Sequence, residues 1–330
     1  MSRKKLWSGV VAFVITGTFL WLALRKVEFA SLAAALSAAR FAWLIPMVGI
    51  VYLDIFVRAV RWRVLLSRAR AAPAPVWDLF KLETIGLAVN NVLLLRLGEF
   101  ARGALAARRL GIPVASALAS VAIERALDVA ALLSIFIVAT RAAPGIVPVH
   151  VVHAALLLLA GAIGAMIVLA VAESSLAPEG AVERRLRNWP CVHVFVEQLA
   201  LGAAVLRSPA AAAKAACLSL MLWTVDAALY WAAAYALNLG GLMDYPRAVL
   251  TLSWAGAISA IPAAPGSIGT FEAFVAGILR TFGAAPEIAL AYALLTHMIM
   301  YLLVTVTGLA FLSREGVSLA GLREEVERNK

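Results

Sequence analysis

Charged residues are sparse in this sequence, and the few inside apolar runs fall in groups. Glu99 and Arg102 stand three apart, and Glu124, Arg125 and Asp128 form a denser set further on. On a helix Glu124 and Asp128 share a face while Arg125 points about 100° away, toward a neighbour predicted to be the segment with Glu99 and Arg102. Asp54 and Arg58 are four apart with the acid first, the favourable order for a helical ion pair. Beside Arg61, Trp62 and Arg63 they read as an anchor at the end of a span. Asp226 and Glu272 are single acids on late segments, and His297 is expected as a hydrogen-bonded packing residue.

Ionisable groups at membrane depth are costly, face a bundle interior or cavity, and mark either a site or an ion-pair staple. Arginine has a further use, because its planar fork matches the oxygens of a phosphate. His150 and His153 share a helical face, but no Cys, Asp or Glu stands near them, so no metal is expected. The sequence has no Walker loop, no G-x-S-x-G elbow and no H-E-x-x-H. No cofactor and no catalytic residue are therefore expected, and transport, if that is the activity, is passive or driven by an ion gradient. Cys191 and Cys217 lie on different segments and predict no disulfide framework.

The elements that hold these charges are membrane spans. Hydrophobic residues make up 63% of the chain and charged ones 15%, with a mean hydropathy of +0.92. A soluble domain is about half apolar and a quarter charged. Residues 7–24, 41–57, 126–140, 151–172, 215–237 and 287–312 are apolar runs of the kind that cross about 30 Å of hydrocarbon. Arg3, Lys4 and Lys5 precede the first run, which is long and lacks a cleavage site, so it reads as a retained span. With that end inside, only Arg25, Lys26, Arg40, Arg141, Arg247 and Arg280 of the 29 basic residues fall outside. The positive-inside rule then places both termini in the cytoplasm. The net charge of +10 belongs to that membrane face and not to a nucleic-acid site, since no separate basic domain exists.

Two stretches do not read as simple spans. Residues 82–95 are apolar but short, contain Glu83, Asn90 and Asn91, and run straight into Arg96, Glu99 and Arg102. Residues 248–283 are cut at the middle by Pro262, Pro265, Gly266 and Gly269, which predicts two half-helices around a break. Three spans, 117–140, 150–172 and 210–237, separate the two stretches. An odd number inverts the second relative to the first, as in the inverted repeats of transporters. Asn91 or Arg96 is then expected to approach Pro265 or Gly266 near the bilayer midplane.

The run N-N-V-L-L-L-R-L-G-E-F-A-R from Asn90 to Arg102 resembles the N-N-x-L-P-x-R-x-G-E-x-x-R motif of the lysylphosphatidylglycerol synthase transmembrane region, the flippase-like family. The helix S-V-A-I-E-R-A-L-D from Ser120 and the segment I-P-A-A-P-G-S-I-G-T-F-E from Ile261 resemble its E-R-x-x-D and P-x-x-P-G-x-x-G-x-x-E elements, and R-W-R-V-L-L from Arg61 fits as well. Leu94 replaces the usual proline, and the chain ends at Lys330 without the aminoacyl-transfer domain of the two-domain synthases, so lipid lysylation is not expected.

The resemblance implies an all-α polytopic protein with about six full transmembrane helices and two broken or re-entrant segments. It is one membrane-embedded domain over 1–330: a first half at 7–116 with the broken segment 82–102, central spans at 117–237, the second broken segment and last span at 245–312, and a cytoplasmic tail at 313–330. The implied activity is movement of an anionic, aminoacylated or polyprenyl-linked lipid between leaflets of the inner (cytoplasmic) cell membrane. The alternatives are a non-catalytic partner of a lipid or cell-wall glycan enzyme, or a transferase with a lipid-linked donor. Membrane lipids are the expected partners, with a homo-oligomer or a lipid-modifying enzyme beside them and no nucleic acid. Arg96, Arg102 and Arg125 are expected to attract a phosphate head group, held by Glu99, Glu124 and Asp128, while Asn90, Asn91, Pro262, Pro265, Gly266, Gly269 and Glu272 form the translocation site.

Overall fold

The computed structural model describes residues 17–19, 21, 24, 27–68, 72–93, 97–175, 205, 208–258 and 265–315. The described residues contain no strand. Their helices, in chain order, are α1 (Phe29–Ser37), α2 (Leu44–Leu65), α3 (Val76–Val92), α4 (Gly98–Leu110), α5 (Val114–Ala142), α6 (Val149–Ser175), α7 (Pro209–Ala236), α8 (Tyr245–Ile258), α9 (Thr270–Thr281) and α10 (Pro286–Arg314). Most of the expected first span, 7–24, lies outside the described residues, as do Arg96 and Pro262.

Local chemistry sets the ends. Proline stands at the N-cap of α3 (Pro75) and α5 (Pro113), and at the first position of α7 and α10, where its missing N–H costs nothing. Ser208 caps α7 by accepting the Ala211 N–H at 3.4 Å. Gly111 ends α4 in the left-handed conformation, φ 66°, which glycine adopts at no steric cost.

Length divides the helices into two kinds. Four are long and apolar enough to cross a membrane: Phe41–Leu65, Val149–Val168, Pro209–Ala236 and Pro286–Arg314. Helix α5 has 29 residues, about 43 Å at the α-helical rise, and carries the charges Glu124, Arg125, Asp128 and Arg141 along its length. Helices α8 and α9, of 14 and 12 residues, reach only about 21 and 18 Å. Among its described residues the stretch 248–283 thus holds two short helices, separated by the 3₁₀ turn Pro265–Ser267. The first interruption differs in extent from its sequence reading: α3 starts at Val76, behind the fixed φ of Pro75, and continues to Val92 before the chain turns extended at Leu93.

The first interrupted stretch folds back on itself. Helix α4 returns antiparallel along α3, with Gly98 beside Asn90 and Arg102 beside Gly86. A Cβ on Gly98 would lie 1.9 Å from the Gly86 carbonyl oxygen, so the crossing exists only because the residue is glycine. Helices α8 and α9 also pack on each other. The two hairpins flank opposite halves of α10: Phe80 of α3 meets Phe311, toward its C-terminal end, whereas α9 leads through a short turn into its N-terminus. Their tips meet between these ends, where a Cβ on Gly266 would lie 3.5 Å from the Asn91 carbonyl oxygen. The expected approach of Asn91 to Gly266 is thus present, about halfway along a helix long enough to span.

Candidate functional site

The close Gly86–Gly98 crossing decides where the first set of charges goes. It presses Arg102 of α4 into the body of the bundle, where its guanidinium pairs with Glu83 of α3 and with Glu124 of α5 at 3.1 Å. Arg102 is 2% exposed, and the Trp62 ring lies 4.6 Å from its guanidinium carbon. Trp62 in turn donates its indole N–H to Ser120 at 2.9 Å. Arg61, one residue earlier on α2, is fully buried; it donates to Asp128 at 2.5 Å and to Ser219 of α7 at 2.9 Å, and forms an ion pair with Glu124 at 3.1 Å. Trp223 donates to the same Asp128 oxygen at 3.2 Å. One ion network therefore ties α2, α3, α4, α5 and α7.

Arg125 occupies a different place in it. Its side chain is 43% exposed, the most accessible guanidinium of the network, and lies 3.6 Å from Glu99, 3.3 Å from Glu124 and 3.1 Å from Asp128. The expected link from α5 to the Glu99–Arg102 segment is present, but Arg125 also folds back onto both acids of its own helix. Of the three arginines named from the sequence, Arg102 is sequestered between carboxylates, Arg125 is open, and Arg96 is not described. Asp54 and Arg58 form the expected local pair at 2.8 Å.

The second group forms at the hairpin tips. Gly266 (φ 67°) and Gly269 (φ 83°) take backbone conformations that exclude most residues. The Glu272 carboxylate accepts the Gly269 N–H at 2.6 Å and contacts His297 Nδ1 of α10 at 2.6 Å. One turn along α10 Tyr301 packs on the Gly266 tip and donates to the Asn91 carbonyl at 3.4 Å. Asn91 donates its side-chain amide to Thr305 at 2.9 Å, and Asn90 caps α4 by accepting the Gly98 N–H at 2.8 Å. Pro265 opens the 3₁₀ turn Pro265–Ser267 at the tip. Asn91, Gly266, Gly269 and Glu272 thus form one assembly around α10, while the Glu124–Asp128 network is a separate centre joined to it through α3.

Two participants escape a reading from sequence. Arg61 stands among interfacial-looking residues, and its spacing of three from Arg58 is the sole local sign that both face the bundle. Glu83 gains a role only when α4 folds back to bring Arg102 beside it, which no local spacing encodes. Among the described residues no group of His, Cys, Asp and Glu could hold a metal ion.

Residues 9–308 match the family described as lysylphosphatidylglycerol synthase TM region. A search of curated proteins finds no match.

Proposed function

The chain belongs to the lysylphosphatidylglycerol synthase TM region family, and from that premise we propose that it moves a phospholipid between leaflets, the head group passing from Arg125 to the meeting point of the two hairpins. The observation that carries this reading is the contact of the tips, Gly266 against Asn91, halfway along α10. Irregular backbone at membrane depth is tolerated only in the protein interior or along a cavity. Transporters place substrate at such junctions of broken helices.

Arg125 is the accessible cation of the ion network, and Glu99, 25% exposed, stands at its side. A guanidinium next to a carboxylate suits a head group with both a phosphate and an ammonium, as an aminoacylated phospholipid has. Arg61 and Arg102 are spent on carboxylates and serve to hold Glu124 and Asp128 in place. By the positive-inside rule this network faces the cytoplasm and the second hairpin enters from outside.

The test is the purified full chain in liposomes that carry a panel of fluorescent phospholipids, anionic, zwitterionic and aminoacylated. Leaflet exchange above the empty-liposome rate, lost in Arg125→Ala, is the expected result. Exchange at the empty-liposome rate for every lipid refutes the reading. Turnover of a lipid-linked sugar donor instead would identify a transferase.

A further inference from the structure

Among the described residues one buried carboxylate is left without an ion pair. Asp226 of α7 is 8% exposed, and no described base forms an ion pair with it. The titratable groups around it are Asp54 and Arg58 from α2, Asp128 from α5, Tyr245 from α8 and, on its own helix, Tyr230. Helix α10 adds Tyr292, whose hydroxyl donates to the Tyr230 carbonyl at 2.7 Å. Arg58 is the sole base in that set, and it is committed to Asp54 at 2.8 Å. The next bases are committed too: Arg61 to Asp128 and Glu124, Arg102 to Glu83 and Glu124, and Arg125 to Glu99, Glu124 and Asp128. Among the described residues Asp226 is left over. A desolvated carboxylate without a partner resolves its cost by taking up a cation, of which the proton is the smallest.

We infer that Asp226 is an exchangeable proton-binding site and that its proton couples lipid movement to a pH gradient, the second half of which rests on the transport reading. Protonated, Asp226 is a neutral carboxylic acid and Arg58 stays with Asp54. When the O–H bond breaks and the proton leaves to water, the carboxylate competes with Asp54 for the Arg58 guanidinium. The joint between α2 and α7, which pack closely on each other, then feels the change. That joint is wired to the head-group network: the Trp223 ring lies 5.9 Å from the Arg58 guanidinium carbon and its N–H bonds Asp128, which holds Arg125. Chains of membrane-buried acids serve as proton relays in pumps and transporters.

The site is tested on the purified full chain in detergent, titrated with pH while infrared difference spectra follow the carbonyl stretch of protonated carboxyl groups. A band that vanishes on alkaline titration and is missing from Asp226→Asn is expected. Asp226→Glu, in which the band persists at a shifted frequency, covers the case in which the Asn variant does not fold. No such band, a band unchanged in Asp226→Asn, or a band abolished at constant pH by sodium chloride but not by choline chloride overturns the proton site. In liposomes with an imposed pH gradient, lipid exchange by the wild type is expected to change several-fold and to become insensitive to the gradient in Asp226→Asn. Exchange by the wild type that ignores the gradient overturns the coupling. An Asp226 band in a protein that exchanges no lipid sustains the proton site and refutes the transport reading.

Discussion

Arg102 and Arg125 differ by what surrounds them, and replacing each separates scaffold from site. In Arg102→Met the long apolar side chain keeps much of the packing against Trp62, but the guanidinium disappears from between Glu83 and Glu124. Glu124 retains Arg61 at 3.1 Å and Arg125 at 3.3 Å, whereas Glu83 has no other ion pair among the described residues and its second oxygen already lacks a hydrogen bond. Removing one partner of a buried pair costs about 3–5 kcal/mol, because the other charge stays buried and alone. Against a typical stability of about 5–15 kcal/mol that is a large share, and the thermal midpoint in detergent is expected to fall by roughly 5–15 °C. Adding Glu83→Gln removes the stranded charge and is expected to recover at least half of the loss. The companion Arg125→Ala leaves Glu124 and Asp128 paired with Arg61, so its cost stays below about 1 kcal/mol, as for an exposed ion pair, while lipid exchange is lost. Thermal unfolding of the four proteins, side by side with exchange, reads out both quantities. A stable Arg102→Met that has lost exchange would mean that Arg102 contacts the head group directly and would refute the division of roles.

Further expectations follow from the same geometry. Gly98→Ala drives a methyl into the Gly86 carbonyl and the Asn90 amide; overpacking costs about 1–3 kcal/mol or more, read as aggregation on size exclusion, whereas Gly49→Ala, with open space around it, is expected to be neutral. Glu272→Ala removes the Gly269 contact and the partner of His297, worth together about 2–4 kcal/mol, and Glu272→Gln is expected to retain most of it; equal stability of the two variants would show that the contacts carry no weight. A cysteine at Ser67 is expected to resist an impermeant thiol reagent in intact cells and one at Val147 to react, and the reverse pattern would invert the orientation.

How much was legible in the sequence depended on the range of the interaction responsible. Runs of apolar residues specify spans because the bilayer has a fixed thickness, so α2, α6, α7 and α10 fall on runs visible in the chain. Proline and glycine specify interruptions because their limits are local to the backbone, which is why a 3₁₀ turn with Gly266 at positive φ stands ahead of α9 where Pro265 and Gly266 predict it. The pair Asp54–Arg58 is a matter of one helical turn. The tertiary structure alone decided which charges meet. Arg61, Glu83 and Arg102 belong to three helices, and their assembly depends on how closely α3 and α4 cross at two glycines. It made Arg102 a buried brace and left Arg125 open, though the sequence presents them alike. His297 found Glu272 because α9 and α10 pack side by side, and Arg58 went to Asp54, which leaves Asp226 without an ion pair among the described residues. A helix period fixes the face on which a charge stands, but the partner on the other side is chosen by packing between segments far apart in the chain.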